Sequence, residues 1–571
     1  MSVTTTPPLN ELLEQTVGDL RPAEQVATPQ WLGATRQTRL SFSRSMLRRA
    51  QGRQWQGERV ASDLDDQGRG HLVYRIEAEG YLFHFVAFTT TLDESQHTDR
   101  VVADAWEISA ALIEGPLTDD LFALLATEVP AQERGRFDPR VLVLARGNRS
   151  VRFYDQIVGH LAAGRQPPVG QAADAGYLLR STAFYGNGKF GLRSFLSFEK
   201  DHPLAAPYRA QFLAAWLFRE VGFDTVEHCA QVKSPETAVA FDPQWRCFFG
   251  VGNATGLGLV PWAVRHPKIM NAWVGVRELA LANVRSKTGS PQDNLTLEKC
   301  FKRASQHFSS LGGGDRHPWR GPDWLAQRVQ EAAEAWDKIK SEPRPYDALY
   351  RWSEQQPPEA TELVVSLLLE LDQTPDELID QLLLTEESSP PSTALTVGEA
   401  CALLEQKYSW LEEIGVKNSH ADHCWWAVSD NTDEPRRANR RSVDPEHREV
   451  PIDLLLRLHR LEQDLTVANP VLALNTFRQE FPHHGLAIDR LVDDLGPYGE
   501  ARDNVCAQDH LPLNLQRFQL AMYGMDNFTP QSTDWLRVTL FQGAPRLDDL
   551  STGLNDKWVW PPRPSGENND H

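Results

Sequence analysis

The sequence predicts a mainly α-helical, multidomain protein with a smaller α/β or α+β unit near its N-terminus. Three observations lead there. At 571 residues the chain exceeds what one ordinary hydrophobic core holds, which favours several domains. Strand-like runs alternate with helical ones only before about residue 165. From Ala173 onward, long segments with apolar residues at helical spacing take over.

Taken in order, residues 1–30 are Thr- and Pro-rich, then weakly amphipathic, and read as an N-terminal arm. In the unit spanning 31–165, His71–Ile76 and Tyr81–Phe88 are rich in β-branched and aromatic residues and flank Glu79-Gly80, which predicts a hairpin. Val101–Ile113 shows helical spacing, and a second helix is expected over Asp119–Thr127. Val141–Leu144 reads as a short buried strand running to Arg146-Gly147-Asn148-Arg149, with a helix from Ser150 to Ala163. The next region, 166–384, reads as a helical body with segments at 205–222, 262–286, 295–310, 322–340 and 360–384. Pro- and Ser-rich residues 385–395 form a linker by composition. In the last region, 396–571, helices are expected at 396–414, 451–465 and 470–480, before an irregular tail that starts after Pro497.

Composition narrows the function class. Hydrophobic residues make up 41% and charged residues 24%, ordinary globular usage that argues against wholesale disorder. The 17 Trp supply material for large cores or apolar pockets. A formal net charge of −20 repels phosphate backbones and anionic lipid, so neither nucleic acid nor membrane is expected as a partner. The six cysteines form no C-x-x-C pair, and reduced thiols in a cytoplasmic protein are the simpler reading. Residues 1–20 lack the apolar region of a signal peptide, and no apolar run is long enough to span a bilayer.

Three segments carry candidate chemistry. In Tyr185-Gly186-Asn187-Gly188-Lys189-Phe190-Gly191-Leu192-Arg193, glycines around Asn187 free the backbone to turn N–H groups inward toward an anion. Lys189 adds a compact positive charge, and Arg193 follows about one helical turn later. The Walker spacing is absent, and the alternative is a tight turn with a solvated Lys189. In Gly250–Gly258 the spacing G-x-G-x-x-x-G-x-G misses the dinucleotide fingerprint, and no βαβ unit is expected to follow it. Small residues there suit a helix N-terminus facing a carboxylate or phosphate, with Asn253, Thr255 and Gly256 as binding candidates. Close packing through the glycines is the alternative. The third segment gathers His420, Asp422, His423 and Cys424 within five residues. Imidazoles are the side chains readiest to move protons near neutral pH, and Asp422 orients a ring only if the fold brings them together. A polar loop capped by Trp425 and Trp426 is the alternative.

Arg140, Arg146, Arg149 and Arg152 form a local basic cluster. Arg149 and Arg152, at an expected helix start, have the geometry to clamp a carboxylate, although such arginines more often pair with surface acids. Metal spacings occur at His420/His423 and at Glu94-x-x-His97, but neither completes a ligand set, and no metal ligand is assigned. No nucleophile signature is present.

The combined reading is a metabolic enzyme with a pocket between the N-terminal unit and the helical body. Tyr185, Asn187, Gly188, Lys189, Arg193, Asn253, Thr255, Gly256, Arg149 and Arg152 would hold an anionic substrate or cofactor. His420 or His423, with Asp422, would transfer protons in a lyase, decarboxylase or hydrolase reaction. A non-enzymatic helical scaffold and a flavin- or metal-dependent oxidoreductase are the alternatives. The cofactor is unassigned, and homo-oligomerisation is left open.

Overall fold

A meander of three antiparallel strands, β1 (Gln56–Leu64), β2 (Gly70–Ala78) and β3 (Tyr81–Thr89), opens the main sheet in the computed structural model. Glu79 and Gly80 join β2 to β3 with φ of 53° and 89°. Positive φ at both central residues matches the twist of the flanking strands, so the hairpin expected here forms around a two-residue turn. The structure describes residues 9–16, 20–26, 31, 35–93, 96, 105–131, 137–151, 153–185, 197–254, 267–311, 321–383, 394–409, 425–429, 432–437, 447–451, 454–492, 496–498, 521–530, 536–552, 558–561 and 563–564.

The sheet continues through β4 (Ile108–Glu114), β5 (Val141–Arg149), β6 (Tyr177–Tyr185) and β7 (Gly250–Ala254). A three-stranded sheet is made by β8 (Trp425–Ser429), β9 (Thr432–Arg437) and β10 (His447–Pro451). The chain then returns to the main sheet with β11 (Met525–Pro530) and β12 (Leu536–Leu540), giving nine strands in the order β1-β2-β3-β4-β5-β6-β7-β12-β11. Every neighbouring pair is antiparallel except β6 and β7, which run parallel with Tyr177 opposite Gly250 and Ser181 opposite Asn253. The crossover between them contains the 25-residue helix Arg209–Lys233, buried along most of its length.

Both faces of β2, β3 and β4 are covered. Leu72, Tyr74, Ile76, Phe83, Phe85 and Leu112 join the large core that includes the Arg209–Lys233 helix. Val73, Val86, Phe88, Ala111 and Ile113 face the opposite side, against Leu121 and Leu125 of the helix Asp119–Glu128. Strands buried on both faces lose the polar–apolar alternation that marks a half-exposed strand. That explains two corrections. Helical spacing over Val101–Ile113 gives way to strand β4, and the stretch after Ala173 contains β6 and β7 among its helices. The tail after Pro497 is likewise not wholly irregular, since it supplies β11 and β12. The fold is therefore a mixed α/β arrangement with many helices around a larger sheet than the sequence implied.

The helices start where the sequence signals them. Pro243, Pro291, Pro322, Pro345 and Pro358 each occupy a first-turn position, where a missing N–H costs nothing. Ser290 accepts from the Asp293 N–H, and Thr396 forms a reciprocal capping box with Glu399. The apolar stretch 360–384 divides into helices Pro358–Leu369 and Asp376–Leu383, the second beginning just after Pro375.

The large core gathers residues from Leu13 to Trp560. A second, separate cluster unites Val397, Leu404, Leu458, Leu461, Phe477, Ile488 and Leu491. The N-terminal arm is docked: Arg21 is buried, with both its side chain and its carbonyl engaged.

Candidate functional site

Among the described residues, the one parallel pair of the main sheet puts the described ends of two of the three candidate segments on neighbouring strands. Tyr185 is the last residue of β6, and Ala254 the last of β7. Residues 186–191 and 255–258, which follow these strand ends in sequence, lie outside the described residues. In open α/β sheets the crevice outside such ends is where ligands settle. The same edge receives the starts of β5 and β12, through Leu144 opposite Tyr185 and Arg537 opposite Ala254.

Two glycines of the second segment belong to β7 itself. A Cβ on Gly250 would lie 2.3 Å from the Leu540 carbonyl oxygen, and one on Gly252 would strike the Tyr177 ring at 2.7 Å. Close strand packing accounts for both. Asn253 lies on β7 between Ser181 and Val538 in register. Thr255 and Gly256 fall outside the described residues, as do Asn187, Gly188, Lys189 and Arg193 in the first segment. His420, Asp422 and His423 also lie outside them, with β8 beginning at Trp425 just beyond.

Arg149 is described, and Arg152 is not. The Arg149 guanidinium donates to the carbonyls of Gln67 and Gly68 at 3.1 and 3.0 Å and lies 4.7 Å from the centre of the Tyr154 ring. Its backbone N–H donates to Glu107. Burial works against its charge, but Tyr154 and Glu107 outweigh that and raise its pKa. Arg140 chelates Asp138, and Arg146 stacks 3.5 Å over Trp106. These arginines are used within the fold. The thiols of Cys229, Cys247, Cys300 and Cys401 are free.

A dense and buried charge cluster was not singled out by sequence. Arg21 grips Glu278 with two hydrogen bonds of 2.7 Å and reaches Glu362, while Arg277 bridges the same two carboxylates. All four side chains are at most 2% exposed. Opposing charges hold Glu362 below its ordinary pKa despite its burial. Nearby, Arg36, Arg39, Arg44, Arg48 and Arg53 pair in turn with Glu359, Asp372, Glu370, Asp376 and Glu377. Arg49 meets both Glu79 and Asp380, and Arg209 also binds Asp380. This seam clamps the helix Phe42–Gly52 and the arm before it to residues 359–380.

A second cluster missed by sequence lies among the helices of the smaller core. Asp464, His483 and His484 bring one ligand atom each to within 4.8 Å of one another. Burial lowers the pKa of His484, against its hydrogen bond to Asp464 and with help from the neighbouring His483 and Arg460 charges. The His-His doublet after Pro482 was the local sign available in sequence.

No family model matches the chain, and no curated protein or solved structure matches it. Among the described residues, no helix is long and apolar enough to cross a membrane.

Proposed function

We propose that the protein is a small-molecule enzyme that binds a carboxylate- or phosphate-bearing ligand at the carboxyl edge of β6 and β7. The observation that supports this reading is the parallel pairing of those strands, whose last residues, Tyr185 and Ala254, are followed in sequence by the two glycine-rich segments. Lys189 is four residues beyond Tyr185, and Gly256 two beyond Ala254, reaches of at most about 15 and 8 Å at ~3.8 Å per residue. Lys189 supplies the charge, with Asn187, Gly188, Arg193, Asn253, Thr255 and Gly256 completing the cradle. Arg149, engaged with Gln67 and Gly68, contributes less in this reading than the sequence alone suggests. His420 or His423, oriented by Asp422, moves the proton in a lyase, decarboxylase or hydrolase reaction.

Titration calorimetry with inorganic pyrophosphate and a series of di- and tricarboxylates tests the site. At least one of them binds the wild-type chain, and Lys189→Ala weakens that binding by about 2–3 kcal/mol, the scale of a charge-assisted hydrogen bond in a desolvated site. The melting temperature of the unliganded variant stays unchanged. Binding that is insensitive to Lys189, or absent for every anion, removes the proposal.

A further inference from the structure

We propose that Asp464, His483 and His484 form a binding site for one divalent transition-metal ion of the zinc, nickel or copper class. This inference is independent of the reading above, because it rests on a different part of the chain. Asp464 sits near the end of the helix Leu454–Val467, and the two histidines complete the 3-10 turn Pro482–His484. The helices around them share an apolar core that includes Leu461, Leu465 and Phe477, so the turn is held against the Asp464 helix by packing.

The two imidazoles present the same nitrogen to the same oxygen. His484 Nε2 is 2.6 Å from Asp464 Oδ2, and His483 Nε2 is 3.9 Å from that atom. The rings themselves are 4.0 Å apart. Asp464 Oδ2 thus faces two ring nitrogens, and the charge of Arg460 also acts on His484.

The spacing suits a small ion. Tetrahedral zinc with ligands at about 2.0–2.1 Å sets them roughly 3.3 Å apart. The ligand atoms here bracket that spacing, at 2.6 and 3.9 Å from Asp464 Oδ2 and all within 4.8 Å of one another. His484 is the fixed ligand: it is 3% exposed, and its ring lies parallel to Phe477 at 7°. His483 is 62% exposed and Asp464 39%, so the site opens to solvent on their side. Three protein ligands with an open side leave a coordination position for water. Two imidazoles with one carboxylate favour zinc, nickel or copper(II) over calcium or magnesium, which prefer all-oxygen sets.

The test uses the full chain without a histidine tag, freed of metal by a chelator and titrated with zinc by calorimetry. Cobalt(II) absorption serves as an independent report of coordination. One zinc binds per site in the wild type, and a tenfold excess of calcium or magnesium does not displace it. His483→Gln, at an exposed position that leaves the core intact, weakens binding by about 100-fold or more, since losing a ligand costs at least what losing an outer-shell partner does. Asp464→Asn does the same and abolishes the cobalt spectrum. A wild-type chain that takes up no zinc overturns the proposal. So does zinc binding that survives both His483→Gln and Asp464→Asn unchanged, which would place the ion elsewhere among the 17 histidines.

Discussion

The arginine seam and the Asp464 cluster are both dense in titratable side chains, yet they differ in how their charges are met. In the seam, each cation faces a carboxylate, and the innermost four groups are sealed from water. Its members spend their charge on one another. In the Asp464 cluster, a single carboxylate faces two imidazoles, one of them largely exposed, and the Arg460 charge acts on His484 as well. Density of ionisable groups therefore does not mark a site by itself. Imbalance of donors combined with an opening to solvent is the better sign.

The largest expected effect lies at the centre of the seam. Replacing Arg21 by Ala leaves Glu278 and Glu362 to share Arg277, with one carboxylate charge buried and uncompensated. Breaking a buried pair by removing one partner costs about 3–5 kcal/mol. Chemical denaturation of the Arg21→Ala chain shows a loss of that size, and Arg21→Lys recovers only part of it, because a point charge cannot fork to two carboxylates. A loss below about 1 kcal/mol would mean that the arm is not held by these charges, and the contrast with the Asp464 cluster would weaken accordingly.

A histidine in the large core sharpens the same comparison. His307 is buried and donates from Nδ1 to the Pro561 carbonyl at 2.8 Å, with no carboxylate among the described residues supporting a positive charge. Burial lowers its pKa from 6.5 to about 4. The unfolded chain takes up a proton as pH falls below about 6.5, whereas the folded chain resists until about 4. The unfolded state binds more protons in that window, so stability falls as pH drops through it, by about 3 kcal/mol in all. Comparing the wild type with His307→Asn isolates the term from other titrating groups. The stability difference between the two narrows by about that amount from pH 7 to pH 4, and parallel curves would show that His307 titrates normally.

Much of the helical architecture was legible because its signals are local. Prolines at first turns, Ser and Thr caps and apolar periodicity all act within a few residues, and Glu79-Gly80 specified its hairpin the same way. The strands that were missed are governed by distant partners. Ile108–Glu114 is apolar on both faces because the Asp119–Glu128 helix covers one and the large core the other. β7 looked like a ligand loop because Gly250 and Gly252 accommodate Leu540 and Tyr177, far away in the chain. The candidate site divides along the same line. Glycine, lysine and histidine marked the segments, but the adjacency of β6 and β7 depends on a crossover that no local pattern announces. The seam had a readable trace in charge: Arg36, Arg39, Arg44, Arg48, Arg49 and Arg53 crowd one stretch, and acids crowd 359–380. The Asp464 site left only a doublet, since its third member lies a helix and a loop away.

The smallest effect comes from the outer end of the seam, where the pairing pattern is the same and the surroundings are not. Arg53 meets Glu377 with both side chains about half exposed, at 49% and 47%. Water and salt screen such a pair, and ordering two long side chains offsets much of the attraction, which leaves about 0–1 kcal/mol. Arg53→Ala should therefore shift the denaturation midpoint barely or not at all, and 1 M salt should erase what shift there is. Arg44, fully buried and bound to Glu370 through both terminal nitrogens at 2.6 and 2.9 Å, gives the internal control. Its replacement by Ala should cost several times more and be far less sensitive to salt. If the two variants instead lose equal stability and respond equally to salt, burial does not set the strength of the seam. The distinction between a self-satisfied charge cluster and an open one would then have to rest on something other than solvent.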